Sequence, residues 1–305
     1  MLVSLLAGVF GLIIGSFLNV VVMRRGTGRS ILGKRGEESS CLTCGARIHW
    51  CDNIPVISWL LLRGRCRSCG ARISLQYPTV ESLTGLGFFL VVYSGITLPA
   101  AVLGCALVAT LVAIAAYDIR HTIIPDPWVY AFAGLAGAFS LIAPTSQRFE
   151  EPILWLASGP IAALPLFALF FVSRGRWMGF GDVKLAFGIG WLLGPLWGPY
   201  AIFLAFVLGA ALSIVVLMPL PYIRATLFRW GIVRSGMAAS YTIIGMASYR
   251  LRSLGSAIAR AIPLPSARLT MKSEVPFGPF LIASTFLVWF AHLYGIQIPL
   301  LWNLI

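Results

Sequence analysis

The chain has 305 residues, 59% apolar and only 11% charged, and its mean hydropathy is +0.89. Soluble globular domains carry roughly 25% charged residues, so an ordinary soluble enzyme is excluded, and so is disorder, which needs low hydrophobicity and high charge. The net charge of +13 would point to nucleic acid in a soluble protein; in so apolar a chain, Lys and Arg held on the cytoplasmic side of a bilayer explain it first.

A hydrocarbon core of about 30 Å takes roughly 20 helical residues. Charge-free runs occupy 1–23, 82–117, 127–147, 152–173, 185–223 and 275–305. The second and fifth are close to double length and carry breakers near their middles, Gly95 to Pro99 in one and Gly194-Pro195 with Gly198-Pro199 in the other. Each reads as a helical hairpin. The fold class expected is all-α: a polytopic membrane protein of about eight transmembrane helices, near 1–23, 79–97, 100–118, 127–145, 152–173, 184–197, 200–220 and 277–295.

With Arg24-Arg25 placed in the cytoplasm, parity assigns every connection. All Lys and Arg then fall inside except Arg148, which stands beside Glu150 and Glu151. That asymmetry fits the positive-inside rule. The first apolar run has no basic segment before it, and Arg24-Arg25 follow it, so it reads as an uncleaved span rather than a signal peptide. The domains expected are a first transmembrane helix at 1–23, a cytoplasmic insertion at 24–78, a transmembrane core at 79–220, a basic cytoplasmic insertion at 221–275, and a last transmembrane helix and tail at 276–305. The stretch 241–262, with Arg250, Arg252 and Arg260 spaced through it, reads either as an amphipathic helix on the anionic inner leaflet or as a solvated basic loop.

Four of the six cysteines form two CxxC pairs, Cys41 with Cys44 and Cys66 with Cys69. The spacing is close to that of paired zinc knuckles. Gly-Ala-Arg-Ile follows each pair, at 45–48 and 70–73, as if two similar turns faced one ion. Four thiolates satisfy a tetrahedral zinc ion and leave no open position, so the role expected is structural. The competing reading, two disulfides, suits a reducing cytosol poorly. Cys51 and Cys105 have no evident partner and read as a packing or surface thiol and a small apolar residue within a span.

Acids inside spans are functional candidates by default. Asp118 closes the third predicted span and Asp182 opens the sixth, after Gly179-Phe180-Gly181, so both belong at one depth near the inner interface. Two carboxylates within a few ångström cannot both ionise easily and share a proton. Such a pair hydrolyses peptides: one member takes a proton from the attacking water, and the other hydrogen-bonds the scissile carbonyl and then protonates the leaving amine. Spacing alone leaves an equal alternative, in which both are interfacial caps or partners of Arg120 and Lys184. His49, His121 and His292 read as packing or interfacial residues, with His121, three positions from Asp118, the one worth testing.

These residues and their order resemble the type IV prepilin leader peptidases, a family of polytopic GxGD-type aspartic peptidases and N-methyltransferases. The blocks that carry the resemblance run nearly the whole chain: Gly15-Ser16-Phe17-Leu18-Asn19, both CxxC pairs, Asp52-Asn53-Ile54-Pro55, Arg63-Gly64-Arg65-Cys66, Tyr77-Pro78-Thr79-Val80-Glu81, the Asp-x6-Pro-Asp pattern from Asp118 to Asp126, Gly179 to Lys184, and Glu274-Val275-Pro276-Phe277-Gly278-Pro279.

The resemblance implies a membrane-embedded endopeptidase that cuts the basic leader from type IV prepilins or type II secretion pseudopilins on the cytoplasmic side of the bacterial inner membrane. Asp118 and Asp182 are its implied catalytic residues, and Asp126 caps the next helix or orders the loop. The cysteine-bearing insertion further implies methylation of the new N-terminus with S-adenosylmethionine, the alternative being a peptidase without it. The partners implied are the prepilin or pseudopilin helix and the lipid bilayer, with no nucleic acid. Glu81 and Glu274 read as polar residues at span ends rather than as attractors of the basic leader. The segment 221–275 is longer than is usual in the family. A presenilin-like protease also carries Gly-x-Gly-Asp, but the cysteine pairs and the Asp52 to Trp59 block weigh against it; a transporter would put its acids near the bilayer midplane.

Overall fold

The computed structural model describes residues 1–25, 39–41, 43–143, 152–214 and 276–296. The chain falls into two compact units, 1–206 with 276–305, and 207–275. The site lies in the first. The expected basic insertion at 221–275, its amphipathic stretch at 241–262, Arg148 and Glu274 all lie outside the described residues.

The described residues are helical, with two isolated bridges and no strand. The helices are α1 (Leu2–Arg24), α2 (Ile57–Leu61), α3 (Gln76–Tyr93), α4 (Leu98–His121), α5 (Asp126–Ile142), α6 (Pro152–Ser173), α7 (Phe180–Leu212) and α8 (Gly278–Leu293). Helix α7 is interrupted at Gly194, whose φ of 86° and ψ of −178° suit glycine and no bulky residue. Gly198 then packs against the backbone of Gly190, with 3.0 Å between a Cβ built at Gly198 and Gly190 Cα. A straight helix would separate those residues by about 12 Å, so the chain reverses here, as a hairpin requires. With α2 set aside as a short turn and α7 counted as two, the described residues hold eight apolar helical segments, the number expected. Four helices, α1, α4, α6 and α7, are long and apolar enough to cross a membrane.

Small residues let these helices approach one another, the usual solution where lipid removes the hydrophobic drive between them. Helix α1 lies on α3 through Gly11 and Gly15; a Cβ at Gly15 would fall 2.7 Å from Glu81 Cα. The packed interior is built from Val91, Leu107, Leu111 and Ile114 of α3 and α4, Phe132 and Phe139 of α5, Leu166 of α6, Leu185 and Ile189 of α7, and Leu281 and Trp289 of α8. Large apolar side chains of the first helix, including Leu6, Phe10 and Ile13, remain exposed, as lipid-facing residues do.

Boundaries differ from expectation in two instructive places. Helix α4 continues one turn past Asp118 and closes at Thr122, which adopts a left-handed conformation (φ 53°) while its N–H bonds the Asp118 carbonyl. The break in α7 falls at the first of the two expected breakers, Gly194-Pro195, so the first span stops short of 197, and Pro195 starts the next segment, where a missing N–H is harmless.

Candidate functional site

One end of the first unit gathers the C-terminal ends of α1 and α4 with the N-terminal ends of α3, α5, α7 and α8. Asn19 of α1 donates to the Tyr77 carbonyl of α3 at 3.2 Å. Arg120 of α4 donates to Gln76 of α3 at 3.4 Å. Lys184 of α7 pairs with Asp126 of α5 at 2.8 Å. Asp118 of α4 meets the first residue of α8, Gly278, at 2.5 Å from a Cβ built there.

Asp118 and Asp182 are 4% and 8% exposed and lie within electrostatic reach of each other. A glycine lies beside each carboxylate: a Cβ built at Gly278 falls 2.5 Å from Asp118 Oδ2, and one at Gly179 3.7 Å from Asp182 Oδ2. Asp182 is the third residue of α7, in the first turn, where a negative charge favours the helix end. Its Oδ1 is buried with no hydrogen-bond partner among the described residues. Ile124, in the turn after α4, stands between the two glycine neighbours of the acids: a Cβ at Gly181 would lie 3.0 Å from Ile124 Cβ, and one at Gly278 3.3 Å from Ile124 Cδ1. The structure therefore brings the two predicted acids to one buried place. Neither pairs with a cation among the described residues, because Arg120 and Lys184 turn to Gln76 and Asp126 instead. Asp182 stands in the first turn of α7, where a carboxylate favours the helix end, and that place is compatible with a chemical role.

Asp126 is the first residue of α5, after Pro125 at the N-cap; it serves as the anion for Lys184, whose ammonium also lies over the rings of Tyr130 and Phe180. His121 packs 4.3 Å from the ring of Tyr117, and His292 meets Trp197 edge-on at 4.5 Å. His49 touches Cys51, Nδ1 to Sγ at 3.4 Å. Cys105 packs against the core.

The four knuckle cysteines converge: the Sγ atoms of Cys41, Cys44, Cys66 and Cys69 lie within 4.8 Å of one another, with Cys41 and Cys69 at 3.9 Å. The two turns repeat each other's bonds. The N–H of Gly45 and Gly70 reach the carbonyls of Cys41 and Cys66, both at 2.9 Å, and Cys41 and Cys66 donate in turn to Ala46 and Ala71 at 2.9 and 2.8 Å. A tetrahedral ion with about 2.3 Å to each sulfur sets the sulfurs roughly 3.8 Å apart, so the donor set fits a metal. The backbone N–H groups of Cys44 and Thr43 draw the Cys41 thiol down to about 6. The Cys69 thiol is pushed up to about 11: the Ala71 N–H favours its thiolate, and its hydrogen bonds to Cys44, Cys66 and Cys41, together with desolvation, outweigh that. Four sulfurs so close do not all shed protons without a cation among them. Arg67, inside the second knuckle, grips Asp52 with Nε at 2.9 Å from Oδ2 and Nη2 at 2.6 Å from Oδ1.

Beneath this insertion a cleft of about 1060 Å³ opens against the ends of α1 and α3, lined by Asn19, Asp52, Arg67, Tyr77, Glu81 and Arg120 among others. Asn19 is 1% exposed, and its Oδ1 is buried with no hydrogen-bond partner among the described residues. Glu81, 6% exposed, accepts the Val56 N–H at 2.8 Å, so it is a buried anchor rather than the solvated span-end residue expected. Two residues without an assigned role in the sequence reading, Asn19 and Gly278, thus face the cleft and the acid pair; their only signal was membership in motif blocks.

Residues 9–94 match the Bacterial Peptidase A24 N-terminal domain and residues 105–214 the Type IV leader peptidase family. Among similar proteins, a prepilin leader peptidase/N-methyltransferase of Myxococcus xanthus is 41% identical over 50% of this chain and 44% of its own length, so that match spans less than half of the relative. A type 4 prepilin-like proteins leader peptide-processing enzyme of Escherichia coli is 36% identical over 63% of this chain and 77% of its own. A prepilin leader peptidase/N-methyltransferase of Neisseria gonorrhoeae is 32% identical over 69% and 81%. No solved structure matches. With its apolar helices and these matches, the chain is a bacterial membrane protein and belongs to the type IV leader peptidase family.

Proposed function

We propose that this chain is a membrane-embedded aspartic endopeptidase that removes the basic leader from type IV prepilins or type II secretion pseudopilins and then N-methylates the new N-terminal residue, with Asp118 and Asp182 as the catalytic pair. The observation that carries the reading is the convergence of those two carboxylates, from the end of one helix and the start of another, in a buried place where no described cation neutralises them.

The ionised member of the pair takes a proton from water as the oxygen attacks the scissile carbonyl. The protonated member donates a hydrogen bond to the carbonyl oxygen and then passes its proton to the leaving amine. The unpartnered Oδ1 of Asp182 is the acceptor left for that exchange. A prepilin presents a basic leader and a long apolar helix, so its scissile bond rests at the inner interface of the cytoplasmic membrane. The distribution of Lys and Arg supports a cytoplasmic place for this end of the helices, and packing of the substrate helix against the spans positions the bond without a three-dimensional search.

Zinc in the Cys41, Cys44, Cys66 and Cys69 site staples an insertion too short to hold itself together. S-adenosylmethionine supplies the methyl group when bound. The cleft beneath the insertion exceeds the few hundred cubic ångström that small-molecule sites need, and Asn19 and Glu81 give it buried polar walls.

The test replaces Asp118 or Asp182 with Asn in the full chain and measures prepilin cleavage alongside prepilin binding. Cleavage is expected to fall roughly 10²–10⁴-fold with binding retained; wild-type rates in either variant overturn the reading. Labelled methyl transfer to cleaved pilin decides between the bifunctional enzyme and a peptidase alone.

A further inference from the structure

The last motif block, Pro276-Phe277-Gly278-Pro279, takes no part in the proton transfers of Asp118 and Asp182. It begins α8, and its glycine faces the acid pair. We propose that Gly278 is a positioning residue for Asp118: its missing side chain is the space the carboxylate occupies. The inference rests on the reading of Asp118 and Asp182 as the catalytic pair.

A Cβ built on Gly278 would lie 2.5 Å from Asp118 Oδ2 and 3.2 Å from Cγ. Real Cβ atoms essentially never approach a heavy atom that closely, so any other residue at 278 displaces the carboxylate. The displaced group is pushed away from the N-terminus of α8, whose first N–H donors have no partner within the helix. Those donors and the α8 dipole favour an anion placed there. Gly278 itself is buried, and Leu281, Ile282 and Thr285 pack the next two turns into the core. The space for the carboxylate is therefore shaped by a rigid element, as precise positioning requires. Ile124 closes the other side, 3.3 Å from the same built Cβ.

The experiment uses the full chain in detergent with a purified prepilin, and compares wild type, G278A, D118N and the double variant I124A/G278A for kcat, KM and binding of uncleaved prepilin. A misplacement of about 1 Å at a reacting group lowers rates on the order of 10²-fold. The result expected for G278A is a fall of that order in kcat with KM and prepilin binding changed less than about 3-fold. The double variant is expected to stay as slow, because removing the Ile124 side chain relieves packing around a new methyl group but not its collision with Asp118. Recovery of kcat in I124A/G278A would show that Gly278 serves helix packing, and overturns the inference. Loss of prepilin binding together with cleavage in both variants overturns it as well. Wild-type kcat in G278A beside an inactive D118N sinks the role of Gly278 and leaves the acid pair standing. Wild-type kcat in D118N sinks the acid pair itself.

Discussion

Lys184 Nζ lies 2.8 Å from Asp126 Oδ1, so the cation that follows Asp182 by two positions is committed to another acid. The pair joins the start of α5 to the start of α7, and Asp182 is left in its buried place without a neutralising partner among the described residues. Had Lys184 paired with Asp182, the spacing would have described an interfacial ion pair and nothing more.

The Lys184–Asp126 pair predicts a specific coupling. Asp126 is half-exposed, which limits the gain from such a pair to about 0.2–1 kcal/mol. In a double-mutant cycle of K184M and D126N, thermal unfolding in detergent should show coupling of that size, and restoring opposite charges as D126K/K184D should recover part of the loss in prepilin cleavage. Additive effects with no recovery would mean that the contact does not hold α5 to α7.

The cysteine site predicts stoichiometric metal. Cys41→Ser removes the sulfur that the Cys44 and Thr43 N–H groups hold most readily as thiolate. Metal analysis of the purified variant should show zinc content well below one per chain, and limited proteolysis should open the insertion between 39 and 75. Methyl transfer should fall further than leader cleavage, since the sulfurs and the cleft belong to the insertion and the acids to the helix ends. Unchanged zinc content would remove Cys41 from the ligand set.

Much of this was legible in the chain because membrane spans write themselves as uncharged runs. Helix α6 has the bounds expected, Pro152–Ser173, since Glu151 and Arg174 flank an unbroken apolar run. Charge is a poor guide to where a helix stops, however: α4 carries Asp118, Arg120 and His121 in its last turn and ends where Thr122 turns left-handed. The acids and cysteines were visible as candidates because few side chain types do their chemistry. Gly278 was not, since what it contributes is an absence of atoms. Glu81 was misjudged for a related reason: its partner is the N–H of Val56, and a backbone group leaves no mark in the sequence.

The Asp52–Arg67 bridge sets a pH window. Its hydrogen bonds from Arg67 hold the Asp52 carboxyl below the usual carboxylate range. A depressed folded value stabilises above the unfolded value of about 3.9 and is lost as pH falls through the folded one. Between pH 5 and 8 the contribution is constant on this argument. Proteolytic opening of the insertion should therefore differ between wild type and D52N at neutral pH and converge below about pH 4. R67K should resemble D52N at neutral pH, because an ammonium cannot make the two-pronged contact. A gap between wild type and D52N that persists unchanged at pH 3 would assign the effect to packing.

Glu81 holds a strained turn. Val56 has φ 61° and ψ −50°, and the Ile57 N–H bonds the Pro55 carbonyl at 2.6 Å across it, which makes a γ-turn of the rare, strained hand. A β-branched residue at positive φ is a genuine outlier, with a cost of about 1–3 kcal/mol. The Val56 N–H donates to the buried carboxylate of Glu81 on α3, so one contact both fixes the turn and fastens the insertion to the helices. E81A should cost about 1–3 kcal/mol through the unpaired N–H, E81Q less because its amide oxygen still accepts. V56G should regain stability in the E81A background, since glycine enters that region without strain. Thermal unfolding of the four proteins, wild type, E81A, E81Q and E81A/V56G, orders these effects. If E81A unfolds with wild-type stability, the contact does not fasten the insertion, and if V56G worsens E81A, the turn stores no strain for glycine to relieve.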